Sequence, residues 1–295
     1  MNDATIDYLD RYIQELDRVQ KEEDVYSRLS DWHVATRQDL AAAVEDINRS
    51  LRLKDKYLLQ AHIATTAIGK LSGGIVVVSA NPGFSAGPNA LEDAYRCRGT
   101  QENRAFCEHF FSEYPRECGA YSPYWRMVMR LHEFYAGEAP APDTRALWEQ
   151  MAASPAIGGI DLLPFHSTKD GITRFLMGPR ADPHLRRVAV AALAMAIRLS
   201  PKALLITSRP GQSLIASLLA NRDPHGPQFE VRALAPDPAW PAPWHLIQAW
   251  DVALPGGKTK IVSFPYQVFS GSFRARQFGY EARGFADRIR GLTAR

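Results

Sequence analysis

The sequence predicts an α/β protein of three layers, α/β/α, around a central, mainly parallel four-stranded sheet, with an N-terminal helical extension. Three observations predict it. Four short apolar runs, Ile75–Val78, Ile157–Leu163, Ala203–Thr207 and Lys260–Ser263, each lead into a cluster of turn-forming, polar or aromatic residues. Helical stretches rich in Ala, Val and Leu separate them, notably Leu185–Leu199 and Gln212–Leu219. Strand–helix–strand alternation implies a parallel sheet with helices on both faces. Finally, apolar residues ahead of Gly73-Gly74 recur at helical spacing rather than alternating.

Taken in order, Tyr8, Leu9, Tyr12, Ile13, Leu16 and Val19 mark one face of a first helix, and Leu40–Ile47 and Leu58–Leu71 continue the helical pattern. Residues 1–72 form the expected helical extension packed on the core, and 73–295 the expected α/β domain. Gly73 and Gly74 break the pattern, and Ile75-Val-Val-Val reads as a strand buried on both faces, ending in Ser79-Ala80-Asn81-Pro82-Gly83. Residues 91–135 read as helical again. Six prolines between 223 and 243 predict an irregular excursion. Trp244–Val252 and Lys258–Ser263 flank Leu-Pro-Gly-Gly, which predicts a hairpin.

A chain of 295 residues, 46% of them hydrophobic, can bury a large core. The net charge of +3 is mild, but six arginines (274, 276, 283, 288, 290 and 295) face only Glu281 and Asp287 after Ser270. Such a face suits a phosphate backbone, although charge alone reads first as a solvated C-terminal helix. No apolar run approaches the roughly 20 residues of a membrane span. The polar, acidic opening Met1-Asn-Asp-Ala-Thr does not read as a secretory leader. Cys97, Cys107 and Cys118 form no CxxC pair and read as reduced thiols. A cytoplasmic monomer with neither metal nor cofactor is expected.

In an open parallel sheet, ligands bind beyond the carboxyl ends of the strands. Here those ends carry Asn81-Pro82-Gly83-Phe84, Pro164-Phe165-His166-Ser167, Ser208-Arg209-Pro210-Gly211-Gln212 and Phe264-Pro265-Tyr266-Gln267. Together they would line a polar, aromatic pocket. Each also has a structural reading: Asn-Pro-Gly is a common turn, Phe165 can be core, His166 can be a hydrogen-bonded interior residue, and Arg209 can form a surface ion pair. Asp161 reads as the structural partner of an arginine, and it and Asp170 are the alternative acids. Ser-Arg-Pro-Gly-Gln lacks the Gly-Lys-Ser/Thr ending of a P-loop, and no Gly-x-Gly-x-x-Gly follows the first strand.

Ser79-Ala80-Asn81-Pro82-Gly83 resembles the first motif of the mismatch-specific uracil/thymine branch of the uracil-DNA glycosylase superfamily, Gly-Ile-Asn-Pro-Gly. Phe264-Pro265 falls where that family has the His-Pro or Asn-Pro step that opens its DNA-intercalation loop. The resemblance spans roughly residues 73–270 in layout, with firm motif matches of a few residues each. It implies a DNA N-glycosylase, a hydrolase that flips a base out of double-stranded DNA and leaves an abasic site. On it, Asn81 would position the attacking water. Phe84 and Phe165 would stack on the base with Ser167 beside them, and His166 would donate a hydrogen bond or proton. Ser208, Arg209, Gln212, Phe264, Pro265, Tyr266, Gln267, Arg274 and Arg276 would contact DNA.

Phe264 stands where the family has histidine or asparagine, and Phe165-His166-Ser167 does not match its uracil-reading asparagine. These departures point away from uracil. The layout also resembles remote phage-defence members that remove glucosylated 5-hydroxymethylcytosine, with Trp125, His166 and Gln267 as candidate sugar contacts. A uracil or thymine-mismatch repair glycosylase, and a non-catalytic DNA-binding protein of the same fold, are the alternatives.

Overall fold

In the computed structural model, residues 1–54, 57–61, 67–80, 99–119, 121–167, 171–206, 209–220, 223, 225–235, 247–263, 287–288 and 290–291 are described. The first helix, α1 (Asp3–Arg18), starts where the Asn2 side chain accepts the Thr5 N–H at 2.9 Å. Its buried stripe is Tyr8, Leu9, Tyr12 and Leu16, as the spacing predicts. A short helix α2 (Glu22–Asp24), a π-helical turn (Val25–Leu29) and α3 (Ser30–Ala35) lead to α4 (Arg37–Ser50), which buries Leu40, Ala43, Val44 and Ile47. The Asn2 amide donates to Asp46 at 2.8 Å, tying the start of α1 to α4.

The helical reading of Leu58–Leu71 fails. Leu59–Gln60 is strand β1 and Ala67–Gly69 is strand β2. Asn48 on α4 holds Leu59 extended, accepting its N–H at 2.8 Å and donating to its carbonyl at 2.9 Å. All three residues of β2 are buried, a pattern of two-sided burial rather than of one helical stripe. Residues 67–69 therefore belong to the sheet, ahead of the boundary expected at residue 72.

The main sheet has seven strands. Beyond β2 they are β3 (Ile75–Ser79), β4 (Ile157–Asp161), β6 (Ala203–Ile206), β7 (Glu230–Leu234), β8 (Gln248–Leu254) and β9 (Gly257–Ser263), in the order β2-β4-β3-β6-β9-β8-β7. The remaining strand, β5 (His166–Ser167), pairs with β1 in a separate two-stranded sheet. The four strands expected from sequence, β4, β3, β6 and β9, form the parallel centre. Three antiparallel strands, β2, β8 and β7, widen it.

Helices α5 (Thr100–Glu108), α6 (Phe110–Cys118), α7 (Pro123–Ala136) and α8 (Thr144–Ala153) lie between β3 and β4 in the chain. Helix α9 (Pro183–Arg198) carries the chain from β4 to β6, and α10 (Arg209–Leu219) follows β6. The crossovers β3→β4 and β4→β6 leave in opposite directions, so right-handed connections put their helices on opposite faces. On one face the Trp125 indole of α7 lies against Gly159, where a Cβ would stand 2.9 Å from the ring. On the other, α9 buries Val188–Ile197 and is itself covered by α1. Arg198 donates to the Leu16 carbonyl at 3.0 Å and Arg187 pairs with Asp10 at 3.0 Å.

The expected hairpin forms between β8 and β9 around Pro255-Gly256. Gly256 has φ +91°, and proline followed by a residue of positive φ is the type II pattern. The proline-rich stretch is not wholly irregular, since β7 occupies the proline-free gap between Pro227 and Pro236.

Two outcomes test this packing. A Cβ on Gly158 would strike the Lys70 and Ile68 carbonyls, the latter at 2.8 Å, and backbone cannot swing aside. Gly158→Ala should cost about 1–3 kcal/mol in urea unfolding; an unchanged midpoint would show that β2 does not cross there. His33 is buried with Tyr12 and Trp32, and desolvation pulls its pKa down to about 3. The unfolded chain then binds a proton that the fold refuses, so stability falls as pH drops from the ordinary histidine range toward about 3. Thermal melts of His33→Phe should lose much of that acid dependence.

Candidate functional site at the carboxyl edge of the sheet

The four parallel strands end level with one another. Ser79 stands beside Asp161, and Ile206 beside Ser263. The β3–β4 pairing continues past both strands, as Leu162 donates to the Ser79 carbonyl at 2.9 Å and Leu163 to that of Ala80 at 3.0 Å. Ala80 is thus held in place immediately before Asn81. The order β4-β3-β6-β9 also reverses direction at β3, the first of the four in the chain. Crossover helices that diverge to opposite faces leave a crevice at such a switch point, between the carboxyl ends of β3 and β6.

Among the described residues, two polar side chains at this edge lack partners. Ser263 is fully buried and its hydroxyl makes no hydrogen bond. Asp161 is half-buried, and its carboxyl makes no ion pair or hydrogen bond with a described residue. The arginine partner expected for it is absent among the described residues. Burial alone pushes this carboxyl well above the usual carboxylate range. Residues 157, 159 and 161 share one face of β4, so Asp161 follows the Gly159 position that Trp125 covers. In-register parallel neighbours share a face, which sets Ser79 beside Asp161. A carboxyl whose pKa is raised in this way keeps its proton, and can donate it, at a higher pH than an ordinary carboxylate.

The residues picked from sequence divide into two groups. Phe165, His166 and Ser167 are all interior, at 0%, 2% and 2% exposure. After β4 the chain turns inward on Leu162 and Leu163, and β5 pairs with β1, setting His166 opposite Gln60 and Ser167 opposite Leu59. Phe165 in this arrangement offers no open face for a base. Gln212 lies half-buried in the first turn of α10, and Arg209 opens that helix three residues after β6 ends. Trp125 sits in a cluster with Phe110 and Phe111, at ring separations of 5.4 and 5.7 Å, rather than beyond a strand end. Asn81, Phe84, Asp170, Ser208, Phe264, Pro265, Tyr266, Gln267, Arg274 and Arg276 lie outside the described residues. Of the C-terminal arginines, Arg290 pairs with Asp287 at 3.0 Å.

A trough of about 600 Å³ lies elsewhere, on β7, β8 and the start of β9, lined by Lys202, Arg232, Asp251, Lys258 and Lys260 among others. Asp251 takes up two of its cations: Arg232 Nε donates to it at 3.0 Å and Lys260 lies 3.6 Å away. Asp251 is therefore matched, unlike Asp161. No protein-family model, curated protein or solved structure matches the chain. Among the described residues no helix is long and apolar enough to cross a membrane.

Because the folded-state pKa of Asp161 is raised, the fold holds a proton that the unfolded chain releases. Its contribution is fully present below the ordinary carboxylate pKa and is lost as pH rises toward the raised one. Asp161→Asn should therefore raise the melting temperature at pH 8 and change it little at pH 4. An equal shift at both values would mean that the carboxyl is not held neutral.

Proposed function

We propose that this chain is a DNA N-glycosylase whose site is the crevice at the carboxyl ends of β3, β4 and β6. The observation that carries the reading is Asp161, a half-buried carboxyl without an ion pair among the described residues, whose pKa burial raises and which stands beside Ser79, two residues before Asn81. Excising a base from DNA requires it to leave the stack and then to depart with the electron pair of the glycosidic bond. The Asn81 amide oxygen can orient a water toward C1′ but cannot take its proton. Asp161 supplies what the amide lacks. As the bond breaks, the electron pair goes to the base nitrogen and the Asp161 proton goes to the base. Water adds to C1′, and the resulting Asp161 carboxylate takes the proton that the water loses.

Cytosine is a poorer leaving group than uracil unless it is protonated, so a neutral acid favours a cytosine-derived base. Together with the departures at Phe264 and Phe165-His166-Ser167, this supports glucosylated 5-hydroxymethylcytosine as the substrate and defence against phage as the role. The short first helical turn of α10 at the same edge offers backbone N–H groups to a phosphate of the flipped nucleotide. Double-stranded DNA is the partner.

The test uses duplexes carrying glucosylated 5-hydroxymethylcytosine, uracil or a thymine mismatch, scored for alkali-labile abasic sites. Sites are expected with the modified cytosine only. Asp161→Asn should lower the single-turnover rate by about 10²–10⁴-fold, and the wild-type rate should fall as pH rises through the raised carboxyl pKa. Retarded mobility without abasic sites on any duplex would mean a binding protein. Full activity in Asn81→Ala or Asp161→Asn would remove that residue from the chemistry.

A further inference from the structure

Strand β7 is the last strand of the main sheet, and among the described residues its outer side meets no other strand. Residues 230–233 are exposed, and Leu234 is half-buried. Val231, the second residue of the strand, is 42% exposed, the most exposed large aliphatic side chain among the described residues. An edge of this kind is a template for pairing with another strand.

The charges on β7 show which strand fits. Glu230 and Arg232 flank Val231 and share one face. Across the sheet, Arg232 stands opposite Asp251, and Asp251 opposite Lys260. The Glu230 row differs: Glu230 stands opposite Ala253, and Ala253 opposite Lys258. Arg232 is thus matched within the chain, whereas the Glu230 carboxylate makes no ion pair with a described residue.

We propose that two copies of this chain pair through β7, antiparallel and centred on Val231, to form a continuous sheet across a twofold axis. In that register Val231 meets its own copy. Glu230 of each copy stands opposite Arg232 of the other, because residue i faces residue 462 minus i. Each cross-strand row then reads Lys260, Asp251, Arg232, Glu230, Ala253 and Lys258, with the copies changing between Arg232 and Glu230. The signs run plus, minus, plus, minus, neutral, plus. The twofold supplies the partner that Glu230 lacks among the described residues, and every charge at the junction gains an opposite neighbour. A shift of one residue would put Val231 opposite a charged residue and break both pairs. An isologous contact of this kind closes at two copies and leaves no free β7 edge. The proposal departs from the monomer expected from sequence and does not depend on the glycosylase reading.

One strand pair buries a small interface, so the dimer should assemble at roughly micromolar concentration and weaken as salt rises. Sedimentation velocity of the full chain, from about 1 to 100 µM, should show monomer giving way to dimer. Glu230→Arg and Arg232→Glu should each weaken self-association by about tenfold or more, since each sets like charges opposite one another. Mixing those two variants should restore dimers at wild-type concentration, because every junction pair is then opposite in sign. Thermal melts identify any variant that does not fold, and Val231→Lys at the exposed centre replaces it in the same assay. A wild type that stays monomeric to 100 µM, a dimer indifferent to these reversals, or a mixture that fails to associate would each overturn the proposal.

Discussion

Strand β3 lies in the interior of the sheet with a parallel neighbour on either side, and the rest of the molecule is arranged around that position. Ile75, Val76, Val77 and Val78 are all buried, as a strand covered on both faces demands. A chain that leaves β3 for β4 and then crosses back to β6 must send its crossovers over opposite faces. Trp125 on one face and α9 on the other are the result. The switch point between the carboxyl ends of β3 and β6 follows from the same divergence. Gly158 and Gly159 serve this geometry as well: the chain at Lys70 and the indole of Trp125 approach β4 more closely than any side chain would permit.

A carboxyl without a cation beside it is costly to bury, and proteins normally pair it or keep it at the surface. Asp161 is neither paired among the described residues nor fully exposed. Elsewhere the chain matches its partly buried acids with care. Glu22 meets Lys70 at 2.6 Å and accepts the Leu71 N–H at 2.8 Å, and Glu133 meets Arg130 at 2.7 Å and accepts the Ala141 N–H at 2.8 Å. Asp161 stands out against that habit. The destabilisation falls at the carboxyl edge of the sheet, beside the switch in strand order, where ligands bind in open parallel sheets.

The features legible in sequence were those written in a single local pattern. The four parallel strands announced themselves by short apolar runs ending in turn residues, and the β8–β9 hairpin by Pro255-Gly256. Strands β2 and β7 were hidden for different reasons. Around β2 the apolar residues fall at helical intervals, and only the free edge of β4, a long-range partner, makes the segment extended. Around β7 the flanking prolines suggested irregular chain, although prolines restrict their own neighbours and leave the gap between them free to pair. At the candidate site, the order of polar clusters after strands pointed to the carboxyl edge of the sheet. It could not show that Leu162, Leu163 and Phe165 draw the second cluster into the core, taking His166 and Ser167 with them. Nor could local pattern reveal that Asp161 has an indole rather than an arginine on the position before it along its face. Both depend on how distant segments meet.

The two ends of the sheet expose a further constraint. At one end β2 is only three residues long, and α5 and α6 cover it, with Phe111 against Gly69. Short length and cover are ordinary protections for an edge strand. At the other end β7 has no such cover among the described residues, since α9 reaches β8 and β9 while residues 230–233 are exposed. Its protection must therefore come from its side chains. Alternating Glu230 and Arg232 reject indiscriminate pairing, because most registers with most strands leave one of them unmatched or opposite its own sign. The same alternation is satisfied by its own reverse. A sequence that blunts aggregation by charge has here, through the same two residues, one register in which the charges agree.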